Sequence, residues 1–150
     1  MQENSHENEC QCDYCKYGHG YIKQKQENAF KKYGWCAHFV TDYFHENQVN
    51  YHTHGLPENF NHLDLQLVLP IDFSILHSLA VNLVNRIKSG ESFRPNMRIS
   101  DIVKSFNVTF IEAKENERTV LRVILPDKHG NLDRKTIQDG IFKDQFIITE

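Results

Sequence analysis

The side chains of this chain that could do chemistry gather in Tyr51-His52-Thr53-His54-Gly55-Leu56-Pro57-Glu58-Asn59-Phe60-Asn61-His62-Leu63-Asp64. Three of the nine histidines fall in this stretch, with a turn signal and an acidic residue. His52 and His54 are two residues apart, so on an extended strand both imidazoles share one face and two nitrogens can converge on one ion. His38 lies in the preceding strand-like segment, on the face shared with Cys36. His62 and Asp64 lie beyond the Gly55-Pro57 turn. If these segments are neighbouring strands, His38, His52, His54 and His62 surround one point, with Asp64 as a further ligand or as the group that orients one. Three histidines and a water suit catalytic zinc, whereas histidines with a carboxylate also suit iron or manganese. Without a metal, the same imidazoles form an acid–base pair. A lone histidine is more often a strand-surface residue or a hydrogen-bonded core residue. A His-x-His pair with further histidines close by carries more weight.

A second group is Cys10, Cys12 and Cys15, with Cys36, His6 or His19 as a fourth ligand. The C-x-x-C turn is half of many structural zinc sites, but no second close pair follows it. The plainer reading is a reduced tail. A dithiol redox role is weaker, because no apolar strand precedes Cys12. Arg122 stands inside an apolar strand between Leu121 and Val123. Turned inward it needs a carboxylate partner, or it presents its fork to an anionic substrate; turned outward it covers the sheet edge. Glu112, Glu115 and Glu117 read as a solvated charged edge. No G-x-S-x-G, P-loop or G-x-G-x-x-G is present, so serine-hydrolase and nucleotide fingerprints are missing.

The elements that must position these groups are legible from pattern. The 150 residues make one domain by length, with residues 1–9 as a disordered tail and 10–150 as a single α+β domain. Net charge is −3, with 17 basic and 20 acidic residues and no basic block, which argues against nucleic acid as a partner. No apolar run is long enough to span a bilayer, and the polar start lacks the features of a secretory signal. Both point to the cytoplasm, where thiols stay reduced. Tyr21 to Lys32 favours helix. Trp35 to Thr41 and Val49 to His54 alternate as strands, with a turn at residues 42–47. Leu63 to Leu69 reads as a third strand with its leucines on a core and Asp64, Gln66 and Val68 facing away. Asp72 can cap a helix over 72–89, whose Ile75, Leu76, Leu79, Ala80, Leu83, Val84 and Ile87 make one broad stripe. Ile99 to Phe106 reads as a short helix. Val108 to Ala113 and Thr119 to Leu125 make a hairpin around a charged turn, and Phe146 to Ile148 a last edge strand. The sum is a mainly antiparallel sheet packed against one main amphipathic helix, with a short N-terminal helix.

The runs Tyr33-Gly34-Trp35-Cys36-Ala37-His38-Phe39-Val40, His52-Thr53-His54-Gly55-Leu56, His62-Leu63-Asp64-Leu65 and Val120-Leu121-Arg122-Val123-Ile124-Leu125-Pro126-Asp127 resemble the bacterial family called domain of unknown function 4262. Its members carry a Cys-rich start, a Gly-Trp strand, a Thr-x-Gly-Leu segment, a His-Pro-acid-Leu segment and a late strand ending in Pro-Asp. Here Leu63 stands where proline often follows the histidine. The resemblance covers about residues 10 to 130 and implies an α+β bacterial protein, with no activity attached. The leading expectation is therefore a small cytoplasmic protein holding zinc or another divalent transition metal on a histidine cluster, with enzymatic use open. The alternative is a non-catalytic binding module, with or without a structural zinc at the N-terminal cysteines. In either case the partner is an unidentified small molecule or protein.

Overall fold

The computed structural model describes residues 19–41 and 48–147. The chain divides into two compact units, Met1–Cys36 and Ala37–Glu150. Helix α1 (His19–Tyr33) belongs to the first. Lys31 and Lys32 sit in its last turn, where they favour the negative helix end, and Gly34 ends it at a φ of 84°, donating its N–H to the Phe30 carbonyl. The expected tail at residues 1–9, the turn at 42–47 and the cysteines Cys10, Cys12 and Cys15 lie outside the described residues.

The described strands are β1 (Cys36–Thr41), β2 (Val49–His54), β3 (Leu65–Leu67), β4 (Arg98–Val103), β5 (Phe106–Glu115) and β6 (Arg118–Ile124). They form one sheet in the order β1-β2-β3-β6-β5-β4. The pairs β2–β3, β5–β6 and β4–β5 are antiparallel, and β3–β6 is parallel. The mainly antiparallel α+β architecture expected from the pattern is what the chain adopts.

Register decides which side chains meet. Tyr51 pairs with Leu67, Leu65 with Leu121, and Phe110 with Val123. All are fully buried on one face. Helix α3 (Phe73–Lys88) lies on that face, with the Tyr51 hydroxyl 2.7 Å from His77 Nδ1. Asp72 caps it by accepting from the Ser74 N–H at 3.0 Å, as the sequence suggests. Its stripe is narrower than expected: Ile75 is 51% exposed, whereas Leu76, Leu79, Ala80, Leu83, Val84 and Ile87 are buried.

The opposite face is the one that matters. His52 pairs with Gln66, and Gln66 with Arg122, so these three stand side by side across three strands. The third strand was expected at 63–69, with Asp64, Gln66 and Val68 turned away from the core. It is only three residues long, and all three of those side chains are buried. The expected edge strand at Phe146 is the end of a 3₁₀ turn (Asp144–Phe146) that follows the short helix α4 (Gly140–Lys143). Gln145 anchors this segment. Its Oε1 accepts from the Leu125 N–H, and its Nε2 donates to the Leu125 carbonyl, at 2.8 and 2.9 Å. The C-terminal segment thus lies over Arg122 on the second face, which is why parity alone could not tell outward from solvent-facing.

Two further differences have local causes. Residues 99–106, expected as a helix, contribute β4. Its register shifts between Ile99 and Val103, and Asp101 has a φ of 70°. A bulge brings Ile99 and Ile102, three apart, to the same buried side, and so imitates helical spacing. Gly55 to Asn59, expected as a break, holds a short helix α2 (Leu56–Phe60), entered through Gly55 at a φ of 111°.

Candidate metal centre

His38 comes from β1, and His52 and His54 from β2. Their ring centroids are 5.3 Å (38–52), 4.4 Å (38–54) and 5.1 Å (52–54) apart. One nitrogen of each lies within 4.8 Å of the other two. Nitrogens sharing one tetrahedral zinc at about 2.0–2.1 Å would be about 3.3 Å apart, so modest side-chain rotations close the set around an ion. His52 is buried, and His38 and His54 are partly open to solvent. The three therefore form a shallow cup with one side accessible.

Their electrostatics favour lone pairs over protons. Burial, with the neighbouring His54, lowers His38 to about 4. Burial, with His54 and His38 close by, lowers His52 to about 3. Burial and Arg118 lower His54 as well. At neutral pH all three rings are neutral, the form that binds a metal.

Hydrogen bonds beneath the cup fix which His52 nitrogen is available. An arginine only donates. Arg122 Nε donates to Gln66 Oε1 at 2.7 Å, which leaves the Gln66 amide nitrogen to donate to Asn50 Oδ1 at 3.0 Å. His52 Nδ1 lies 3.2 Å from the same Asn50 oxygen, so Nδ1 carries the hydrogen and donates to it. Nε2 is left with its lone pair, 3.6 Å from Glu115 Oε2.

A second chain of contacts holds a carboxylate at the rim. Glu115 Oε2 is 3.6 Å from His52 Nε2, and both side chains are only 4% exposed. Glu115 Oε1 accepts from Arg118 Nε at 2.6 Å. Arg118 also donates to Asp64 Oδ2 at 2.7 Å and to the Thr53 carbonyl at 2.9 Å. Asp64 Oδ1 in turn accepts from the Thr53 hydroxyl and the Leu56 N–H. Burial pushes the Asp64 carboxyl up, against the pull of these bonds. Two carboxylates against one guanidinium leave this rim negative, which suits a cation.

The candidates named from sequence divide accordingly. His38, His52 and His54 come together. His62 is not among them: its Nδ1 donates to the Leu63 carbonyl and its Nε2 accepts from the Phe93 N–H. Asp64 reaches the group only through Arg118 and Glu115. Arg122 is fully buried; it donates to Gln66 Oε1 and to the Gln145 and Ile147 carbonyls. Cys36 opens β1 and is buried. Sequence reasoning missed Glu115, Arg118, Asn50 and Gln66. Glu112 and Glu117 are exposed as expected, but Glu115 is not. The hairpin turn is only Asn116-Glu117, both at positive φ, so Glu115 is the last strand residue, paired with Arg118. Counting back from Arg122 by twos would have placed Arg118 on the same face.

A family model described as a domain of unknown function (DUF4262) matches residues 29–134. The chain belongs to that family. The DUF4262 match contains all three histidines together with Asn50, Asp64, Gln66, Glu115, Arg118 and Arg122. It also contains the Thr53-x-Gly55-Leu56 segment, which the structure explains: Thr53 and the Leu56 N–H both bond Asp64, and Gly55 supplies the left-handed turn between them. Neither the curated proteins nor the solved structures offer a match. No helix among the described residues is long and apolar enough to cross a membrane.

Proposed function

We propose that the protein binds one divalent transition metal through His38, His52 and His54 and uses it on a substrate reaching the open side of the cup. The observation that carries this reading is the convergence of three neutral imidazoles from two strands, with one nitrogen of each within 4.8 Å of the others. Three nitrogen ligands with a solvent-accessible fourth position match zinc used for catalysis rather than a closed structural site. Such an ion supplies a bound water of lowered pKa. Glu115, fixed by Arg118 beside His52, is the carboxylate available to take that proton. His52 donates its other ring N–H to Asn50, the kind of outer contact that orients metal-binding imidazoles.

The test is the metal content of protein purified without a histidine tag. About one equivalent of metal is expected, and it should be lost in a His52→Ala/His54→Ala variant that keeps the wild-type circular dichroism spectrum. Absence of metal after incubation with zinc would sink the reading. Loss of metal only on replacing Cys12 and Cys15 would move the ion to the N-terminal cysteines.

A further inference from the structure

We infer that Arg122 and Gln66 are positioning residues for the histidine cup, acting through Asn50 to decide which nitrogen of His52 carries its hydrogen. The inference rests on the metal reading for its purpose but not for its structure. The guanidinium cannot accept a hydrogen bond, so it sets the direction of every bond after it. Gln66 must turn its oxygen to Arg122 and its nitrogen to Asn50; Asn50 must offer its oxygen to Gln66; His52 must donate from Nδ1. Arg122 is itself held by the Gln145 and Ile147 carbonyls. Arg122, Gln66 and Asn50 are completely buried and His52 is 3% exposed, so bulk water does not compete for these bonds. The Asn50 Nδ2 has no hydrogen-bond partner among the described residues. The amide therefore keeps its oxygen on two donors at the cost of leaving its own nitrogen unused. That orientation is explained by the donors that face it.

The two amides give variants with opposite expected outcomes. Gln66→Glu keeps the acceptor for Arg122 but puts a second carboxylate oxygen against Asn50. Asn50 then turns its Nδ2 to that oxygen and to His52, its Oδ1 no longer accepts from His52 Nδ1, and the His52 hydrogen moves to Nε2. Asn50→Asp keeps an acceptor for both donors, so the hydrogen stays on Nδ1. Both variants add one negative charge beneath the site, so a purely electrostatic effect would strengthen cation binding in both. The relay instead predicts that Gln66→Glu weakens zinc binding by about tenfold or more, the usual scale for losing an outer contact of a metal ligand, while Asn50→Asp tightens it.

The experiment uses full-length, ¹⁵N-labelled protein at pH 7.5. Long-range ¹H–¹⁵N spectra without metal read the His52 tautomer, and zinc titration reads affinity. Expected is Nδ1–H in the wild type and in Asn50→Asp, and Nε2–H in Gln66→Glu. An Nε2–H tautomer in the wild type overturns the inference with no variant needed. So does a change of affinity in the same direction in both variants. Tautomers as expected with no zinc bound by any form uphold the relay and overturn the metal reading instead.

Discussion

Replacing Asp64 by Asn should cost more stability than its place in a short connecting segment suggests. The carboxylate is buried and accepts from Thr53, from the Leu56 N–H and from Arg118. An amide keeps one oxygen for Thr53 and Leu56 but turns an NH₂ toward the Arg118 guanidinium, so donor faces donor. Breaking a buried ion pair from one side costs about 3–5 kcal/mol. The Arg118 side chain is 28% exposed and keeps its bonds to Glu115 and the Thr53 carbonyl, so the figure must be discounted. About 2–3 kcal/mol remains, or roughly 8–12 °C in Tm for a unit of this size. Urea titration of metal-free protein at pH 7.5, followed by circular dichroism, reads it directly. An Arg118→Met variant and the double variant complete a cycle, in which the two losses should fall short of additivity by about 1–2 kcal/mol. An Asp64→Asn protein within about 0.5 kcal/mol of wild type would refute the claim that this contact ties the Thr53–Leu56 turn to the hairpin.

The metal-free protein should also lose stability on mild acidification. His38 and His52 titrate near 4 and 3 when folded, below the ordinary value of 6.5, so below about pH 6.5 the unfolded chain takes up protons that the folded one refuses. Stability is full above that pH and falls as pH drops toward 4. A flat urea midpoint between pH 7 and 4.5 would contradict this, and a His38→Gln/His52→Gln variant should show a shallower fall than wild type. Gly55→Ala places a side chain at a φ of 111° and should cost about 1–3 kcal/mol. An unchanged melting temperature would show that the turn can adopt another conformation.

The histidine pair was legible because strand parity needs no tertiary information. Alternation put His52 and His54 together, and the same alternation put His38 on a matching face one strand away. The main helix was legible for a similar reason, since Asp72 and the leucine stripe are local signals. The rest required knowing what covers the sheet. The face carrying Gln66, Arg122 and Glu115 is polar in sequence, and polar faces usually meet water. Here its Arg122 end is covered by residues 140–147, held through Gln145 and the backbone carbonyls that Arg122 binds. The hydrogen bonds that anchor it at Gln145 and Arg122 leave no periodicity in the sequence. Glu115 was misjudged because a two-residue turn without glycine does not mark its own boundaries. His62 looked like a fourth ligand because it is close in sequence, but α2 lies between it and β2, and both its nitrogens are used where it stands.

A buried polar sheet face is an expensive way to build a small core. Exchanging buried charged networks for well-packed apolar side chains is often neutral, or stabilising by about 1–4 kcal/mol. Stability therefore does not explain Asn50, His52, Gln66, Glu115 and Arg122 together at 3% exposure or less. Direction does. Arg122, which can only donate, fixes Gln66, Gln66 fixes the Asn50 oxygen, and that oxygen takes the His52 Nδ1 hydrogen, so the other His52 nitrogen keeps its lone pair. A free imidazole lone pair can take a proton, a hydrogen bond or a metal ion. With His52 titrating near 3, the proton is not held at neutral pH. His38 and His54 add two more nitrogens to the same point, and Glu115 faces it with a negative charge. Each of these features taken alone has an ordinary structural explanation. Their common direction supports a cation held at the cup between β1 and β2.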